Sequence, residues 1–310
     1  MPVIKSLFMR HTGEFAALLT AFFWTVTALT FEAASRKIGS MVVNILRLIV
    51  GFTFLSIFVF FYRGYLFPTD AGLHNWLWLS LSGLIGFTFG DLCLFRSFVL
   101  IGARVSMLMM ALAPPMAALF AWLALGEKLS LMSWIGMAVT MNGIALVVLR
   151  RNGNNTKGGV RNVLKFSYPV WGLLLAFGGA LGQSLGLVLS KIGMQGLDTF
   201  ASTQIRVMAG TAGFALIYSF MGKWKDVMRG VVQVKPMILL SIGAFFGPFL
   251  GVSFSLIAIR YASTGVASTI MAIVPVLIIP ASMILYKEKI TLKEFIGALL
   301  AVGGVAIFFL

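Results

Sequence analysis

The sequence predicts an all-α integral membrane protein with ten transmembrane helices, arranged as two inverted five-helix repeats. Three observations lead to this fold class. First, 60% of the residues are apolar and only 11% are charged, whereas about a quarter of the residues in soluble domains are charged. Second, the chain divides into ten apolar runs of about the 20 residues that a bilayer core needs. Third, the pattern of the first half recurs in the second half.

The ten apolar runs account for nearly all of the chain. A polar connection at residues 150–168 separates them into two groups, and its Gly, Asn and Lys content is typical of a flexible link. We therefore predict a first repeat at residues 1–149, a linker at 150–168 and a second repeat at 169–310. The predicted spans are 13–34, 41–62, 74–100, 104–125 and 131–149 in the first repeat, and 169–190, 199–221, 236–258, 264–285 and 292–310 in the second.

A shift of 161 residues superposes the two halves. It carries Pro114 onto Pro275, while Arg47 and Arg206 are related by a nearby offset of 159. Because five spans is an odd number, the second copy enters the membrane from the opposite face. This inverted repeat is an architecture found mainly in transporters. Other matched pairs at offset 161 include Gly86 and Gly247, Gly90 and Gly251, Glu127 and Glu288, Lys128 and Lys289, Gly136 and Gly297, and Gly143 and Gly304.

The third predicted span contains GLIGFTFGDLCLFRSFVLIGA, the fourth ends in ALFAWLALGEKLS, and the ninth ends in SMILYKEKIT. These segments, in two five-helix repeats, resemble the EamA-type branch of the drug/metabolite transporter superfamily over nearly the whole chain. The resemblance implies a transporter in the cell (cytoplasmic) membrane that exports a small organic metabolite, such as an amino acid or amphipathic compound. It also implies that the first, third, fourth, sixth, eighth and ninth helices surround the substrate.

Prolines interrupt the fourth and ninth predicted spans at equivalent positions, Pro114 and Pro275. A proline inside a helix removes a backbone hydrogen bond and frees carbonyl groups. In a membrane such breaks occur where protein or a wet cavity satisfies the carbonyls. We therefore expect Pro114 and Pro275 to line a substrate-binding cavity; kinks that only fit neighbouring helices together are the alternative.

Asp91 lies near the middle of the third predicted span. A carboxylate at that depth is costly, so it should face the protein interior or a water-filled cavity. Three roles are open: an ion pair with Arg47, contact with the substrate, and proton coupling. Arg96 is five residues further on and points about 140° away on an ideal helix, so it is a poor intrahelical partner for Asp91.

Five charged residues besides Asp91 are candidates for ion pairs or gating: Glu32, Arg36, Arg47, Arg96 and Arg206. Arg47 and Arg206 either extend to the lipid headgroups or act in gating or anion binding. Glu32 and Arg36 are four residues apart at the end of the first predicted span, a spacing that lets them pair. The sequence places few cations near the membrane midplane besides Arg96, which disfavours a sugar-phosphate substrate.

Uncharged polar groups occur at membrane depth in the first and sixth predicted spans. Trp24 and Thr27 offer an aromatic ring and a hydroxyl, and Gln183 offers an amide. Groups of this kind orient a ligand in an otherwise apolar pocket. We expect all three to line the substrate cavity, although close helix packing also explains the small residues around Gln183.

The sequence also excludes several classes of function. His11 and His74 are the only histidines and Cys93 is the only cysteine, so we expect no metal site, no cofactor and no enzyme active site. No phosphate-binding glycine loop is present, so an ion or solute gradient must supply the energy. A solute channel and a non-transporting membrane scaffold remain the alternative functions, and the oligomeric state stays open.

The formal net charge is +15, but most of the Lys and Arg residues lie in short connections between spans. There they meet lipid headgroups and set the orientation, so we expect the lipid bilayer and a small molecule as partners and no nucleic acid. The connections after odd-numbered spans carry the larger share of these residues. This charge bias puts both termini outside, whereas the family resemblance puts them inside.

Overall fold

A computed structural model describes residues 11–125, 131–156, 159–166, 168–262, 264–287 and 291–308. The matched Glu-Lys pairs at 127–128 and 288–289 lie outside these residues. Every candidate site residue lies within them. The helices of the first half are α1 (Thr12–Ile38), α2 (Ser40–Arg63), α3 (Leu73–Gly83), a π-helix (Leu84–Gly90), α4 (Asp91–Met109), a 3₁₀ turn (Met110–Leu112), α5 (Ala113–Leu125) and α6 (Leu131–Val148).

The second half begins after a β-hairpin of two antiparallel strands, β1 (Leu149–Thr156) and β2 (Gly159–Phe166). The hairpin occupies the segment for which the sequence predicted a flexible link. It forms because the backbone groups of the two polar strands pair with each other. The helices that follow are α7 (Val170–Gly193), α8 (Thr199–Met221), α9 (Trp224–Val231), α10 (Val234–Ala244), a π-helix (Phe245–Gly251), α11 (Val252–Tyr261), α12 (Thr264–Met271), α13 (Val274–Tyr286) and α14 (Leu292–Phe308).

Most of the described chain is helical, as predicted, and much of it is suited to a bilayer. By length and composition, five helical stretches of the described residues can cross a membrane, or six if α8 is counted together with α9, from which it turns by 118°. The five are Thr12–Ile38, Ser40–Arg63, Leu73–Ala124, Val170–Gly193 and Val234–Tyr261.

The two π-helices occupy equivalent positions, because Leu84–Gly90 and Phe245–Gly251 differ by the repeat offset of 161. Each contains two of the matched glycines, and the second also contains Pro248, which lacks an N–H group. π-Turns inside α-helices are often found at functional sites. Here the first of them ends immediately before Asp91.

Close contact between two glycines positions the third predicted span against α7. A Cβ atom on Gly182 would lie 2.5 Å from the Cα atom of Gly90, so the two backbones touch without intervening side chains. Asp91 and Gln183 directly follow these glycines in the sequence. The contact therefore brings both of these polar residues to the same part of the protein interior.

A break in the helix at Gly102 separates the third and fourth predicted spans. Gly102 has φ 79° and ψ 157°, a conformation that is essentially restricted to glycine. The buried Glu32 of α1 accepts a hydrogen bond from the N–H of Ala103 at 3.1 Å, and so satisfies a backbone donor at the point where the helix resumes.

The two halves contact each other reciprocally. A Cβ atom on Gly143 of α6 would lie 2.5 Å from the nitrogen of Ala301 in α14, and its equivalent on Gly304 would overlap Thr140. Ala301 is itself the 161-residue equivalent of Thr140. Likewise, α3 packs against α7 and α8, while α10 packs against α1 and α2. Reciprocal contacts of this kind are what a two-fold relation between two copies produces.

Candidate functional site

Two adjoining cavities lie in the interior between the halves, and they share Trp24, Met107, Met110 and Gln183. The first cavity has a volume of about 80 Å³, counted as the space open to the centres of water molecules, and this is room for several waters. Its lining includes Thr27, Arg47, Phe87, Asp91, Leu94, Phe95, Arg206, Pro248 and Ser255. The second cavity is lined by Ala113, Pro114, Ala117, Ser184, Leu187, Ser268, Met271, Val274 and Pro275, among others.

All six residues that the sequence proposed for substrate binding line these cavities. Trp24 and Gln183 face both of them, Thr27 and Asp91 face the first, and Pro114 and Pro275 face the second.

Each of the two prolines stands within the first two residues of its helix, α5 or α13. The chain is therefore broken just before each proline, where a missing N–H group is least costly. A carbonyl at the first break, that of Ala113, accepts a hydrogen bond from the hydroxyl of Ser184 at 2.9 Å. Ser184 of α7 thus contacts the backbone at the first break.

Asp91 and Arg47 form a buried ion pair in the first cavity. The Nη2 atom of Arg47 lies 2.5 Å from Oδ2 of Asp91, and the two side chains are 4% and 14% exposed. Asn44 lies one turn before Arg47 and accepts a hydrogen bond from the Nε atom of Arg47 at 3.2 Å. The amide of Asn44 also donates a hydrogen bond to the backbone carbonyl of Asp91 at 3.1 Å. The structure therefore contains the first of the three arrangements considered for Asp91.

Aromatic rings surround the guanidinium of Arg47. Its central carbon lies 4.6 Å from the ring centroid of Phe95 and 5.7 Å from those of Phe31 and Phe87. The faces of aromatic rings attract cations, more strongly where water is excluded. Arg47 is thus held by a carboxylate, an amide and three rings, deep in the protein.

Arg206 lies in the same cavity in a different environment. It is 3% exposed, and its guanidinium lies 4.9 Å from the ring centroid of Phe87. Within the described residues, no side chain or backbone group forms a hydrogen bond or an ion pair with this guanidinium, and its buried Nε atom has no partner. Arg206 is therefore a buried cation with no ion pair of its own, because the one carboxylate in this cavity lining, that of Asp91, is already paired with Arg47.

The prediction that Arg47 and Arg206 could extend to lipid headgroups is wrong, because both are buried and both line the cavity. Arg96 was predicted to lie near the midplane, but it does not face the cavities. Its side chain is exposed in a separate outer pocket together with Lys37, Lys223 and Arg229. Which of the three arginines line the cavity depends on the helix face on which each one lies, and not only on its position along the span.

Trp24 and Gln183 are equivalent positions, because they differ by 159, the offset that relates Arg47 to Arg206. Both are partly buried, and neither polar group has a hydrogen-bond partner among the described residues. An indole N–H group and an amide therefore remain available to a ligand. The cavities combine these groups with an apolar wall of Met107, Met110 and Phe87.

Glu32 and Arg36 form an ion pair outside the cavities. Both Nε and Nη2 of Arg36 donate to Oε1 of Glu32, at 3.1 and 2.8 Å. Because Glu32 also binds the backbone at the Gly102 break, the pair joins the end of α1 to the connection between the third and fourth predicted spans.

Sequence reasoning missed the aromatic cage of Phe31, Phe87 and Phe95 and the cavity-facing Met271. The segment GFTFGD, which places Phe87 between two glycines one turn before Asp91, is the signal that could have identified the cage. In the part of the chain that the structure describes, no group of His, Cys, Asp or Glu side chains is arranged to hold a metal ion.

Known proteins resemble this chain in both sequence and fold. YvbV, an uncharacterized transporter of Bacillus subtilis (strain 168), is 29% identical over 198 residues, which are 63% of this chain and 59% of that protein. A Sinorhizobium sp protein, described as an uncharacterized transporter in cobO 3'region, is 32% identical over 142 residues, 46% of this chain and 99% of that protein. A solved crystal structure shares the fold with a TM-score of 0.65 over 96% of both chains, at 18% identity.

The EamA-like transporter family matches the chain twice, at residues 11–149 and 170–310. These two matches cover both predicted repeats and leave the hairpin between them unmatched. The chain therefore belongs to the EamA-like transporter family, and it is a multi-pass membrane protein and not an enzyme.

Proposed function

We propose that this protein is a secondary transporter of the cell membrane that exports a small organic metabolite by alternating access. Ten spans in two inverted five-helix repeats would form the transport unit. Export is inferred from the resemblance to the EamA-type branch, and a solute or ion gradient would supply the energy, because the sequence contains no phosphate-binding loop.

The positions at which the long helical stretches break support a count of ten spans. Leu73–Ala124 has 52 residues, more than twice the about 20 that a bilayer core needs, and Gly102 divides it into two spans. Helices α8, α6 and α14, together with the consecutive pair α12 and α13, supply four more. With the remaining four long helices the total is ten.

The observation that carries the proposal is that equivalent residues of both halves line one interior space. Trp24 and Gln183 form one such pair, and Arg47 and Arg206 form the other. A site at the interface of two repeats is the arrangement in which rocking one repeat against the other exposes the ligand to either face. A scaffold that only packs helices has no need for polar groups without partners in its interior.

The broken helices provide places where such a movement can occur. The two π-helices and the segments broken before Pro114 and Pro275 contribute residues to the cavity linings, and a further break lies at Gly102. Hinges are commonly a few residues at the ends of helices, where dihedral angles can change. The rigid stretches between them would move as bodies.

Solute counterflow in proteoliposomes tests the proposal. Vesicles are loaded with an unlabelled panel of amino acids and organic acids, and uptake of each labelled counterpart is followed. Wild type is compared with Gln183→Ala, which removes a cavity amide without a hydrogen-bond partner, and with Arg96→Gln, which changes an exposed residue outside the cavities. Saturable exchange supports a carrier if Gln183→Ala weakens the exchange and Arg96→Gln does not.

Flux that neither saturates nor exchanges labelled for unlabelled solute indicates a channel and contradicts the proposal. The same vesicles with a pH gradient test proton coupling. Among the described residues that line the cavities, Asp91 is the only acidic one. Loss of pH-driven uptake in Asp91→Asn with exchange preserved assigns the coupling to this carboxylate.

A further inference from the structure

The charged groups of the first cavity do not balance. Its lining contains the guanidinium groups of Arg47 and Arg206 and the carboxylate of Asp91, which gives a formal charge of +1. Asp91 is engaged by Arg47 at 2.5 Å, and no ion pair joins Asp91 to Arg206 among the described residues. One positive charge is therefore uncompensated inside the protein.

An uncompensated buried charge is costly, and buried charges in proteins are normally paired with an opposite charge. Charged residues inside membranes commonly mark the pathway of a substrate. Arg206 is almost completely buried, it faces the cavity, and its contact with the face of Phe87 fixes the direction of its guanidinium. The missing partner is thus expected to come from outside the chain.

The uncharged groups nearby also favour an anion. The indole N–H group of Trp24 can only donate a hydrogen bond, as can the N–H groups of Arg206. The amide of Gln183 adds further donors. Within the described part of the chain these three side chains have no hydrogen-bond partner, so the cavity offers an excess of donors.

We propose that Arg206 binds the carboxylate of the substrate, and that the substrates are small monocarboxylates with an apolar body. A guanidinium matches the two oxygen atoms of a carboxylate with two parallel hydrogen bonds. Met107, Met110 and Phe87 receive the apolar body, and Trp24 and Gln183 supply further donors. This inference rests on the proposed function, because it names the substrate class of the same site.

The cavity has no group that favours an amino group on the substrate. An amino group on the substrate would need a free carboxylate, and Asp91 is already paired with Arg47. Carboxylates without an amino group should therefore bind at least as tightly as the corresponding amino acids.

Ligand-dependent thermal unfolding of the purified protein in detergent tests the proposal with three probes of similar shape: 3-phenylpropionate, 3-phenylpropionamide and phenylalanine. We expect 3-phenylpropionate to raise the unfolding temperature most and the neutral amide to have no effect. In Arg206→Met its apparent affinity should fall about 10- to 100-fold, the loss expected for a hydrogen bond to a charged group. Equal effects of acid and amide, no effect of any probe, or unchanged affinity in Arg206→Met would overturn the proposal.

The repeat-related arginine supplies a matched control that needs no ligand. Arg47→Met leaves Asp91 without its partner, so this variant should unfold at a lower temperature than wild type. Arg206→Met removes a charge that has no partner and keeps an apolar side chain against Phe87, so it should be as stable as wild type or more stable. If Arg206→Met is destabilised as much as Arg47→Met, Arg206 has a structural role and the proposal is wrong.

Failure of this inference can be distinguished from failure of the proposed function. Carboxylate counterflow that persists in Arg206→Met refutes the role of Arg206 while the transporter stands. Carboxylate binding that depends on Arg206, in a protein that exchanges no solute in vesicles, supports the site and refutes transport.

Discussion

Replacing Asp91 with asparagine should destabilise the protein strongly, and the structure indicates by how much. The substitution keeps the shape of the side chain and removes the negative charge that faces Arg47 at 2.5 Å. Removing one partner of a buried ion pair costs about 3–5 kcal/mol. The formal charge of the cavity lining would rise from +1 to +2 in Asp91→Asn, whereas Arg47→Met would lower it to 0. We therefore expect Asp91→Asn to be the more damaging of the two.

A double-mutant cycle measures this interaction. The free energy of unfolding is obtained by titrating SDS into detergent micelles and following the fluorescence of the seven tryptophans. The double variant Arg47→Met/Asp91→Asn should be more stable than Asp91→Asn, because only one uncompensated charge remains. Arg96→Gln, an exposed control, should stay within about 0.5 kcal/mol of wild type. Strictly additive effects, or a neutral Asp91→Asn, would refute the reasoning.

Three further predictions concern packing, the break between spans and orientation. Gly304→Ala should destabilise the contact of α6 with α14 by about 1–3 kcal/mol, because the added methyl group overlaps Thr140. Gly303 has open space around it, so Gly303→Ala should be neutral or stabilising in the same SDS titration. Gly102→Ala should lower the unfolding temperature, since φ 79° and ψ 157° strain any other residue by about 1–3 kcal/mol; Glu32→Ala should do so more than Glu32→Gln, which keeps an acceptor for the backbone. The charge bias predicts that protease added to intact cells removes epitope tags from both termini, and full protection of both tags would show the opposite orientation.

The sequence was sufficient for the general architecture because hydropathy and internal repetition are long-range signals. The resemblance to the EamA-type branch is confirmed by the two family matches. The predicted cavity residues were identified by a simple rule, that polar groups and helix breaks at membrane depth face a common interior space. Trp24, Asp91 and Pro275 all follow this rule, and all line the cavities.

The depth and direction of the arginines could not be predicted in the same way. Position along a span does not reveal which face of a helix is buried, so the sequence did not show that the side chain of Arg96 is exposed outside the cavities. Arg206 was left between a headgroup contact and anion binding for the same reason. The burial of Arg206 depends on Gly86, Gly186 and Phe87, which belong to other predicted spans and come next to Arg206 only when the chain folds.

The most direct test of the account is whether the cavity between the halves can be reached from both sides of the membrane. Cys93, the single cysteine, is replaced by alanine, Gln183→Cys is introduced, and a membrane-impermeant maleimide is applied to cells and, separately, to inside-out vesicles. Alternating access predicts labelling of position 183 from either side, and slower labelling when the transported solute is present. Labelling from one side only, whatever solute is present, would contradict the account.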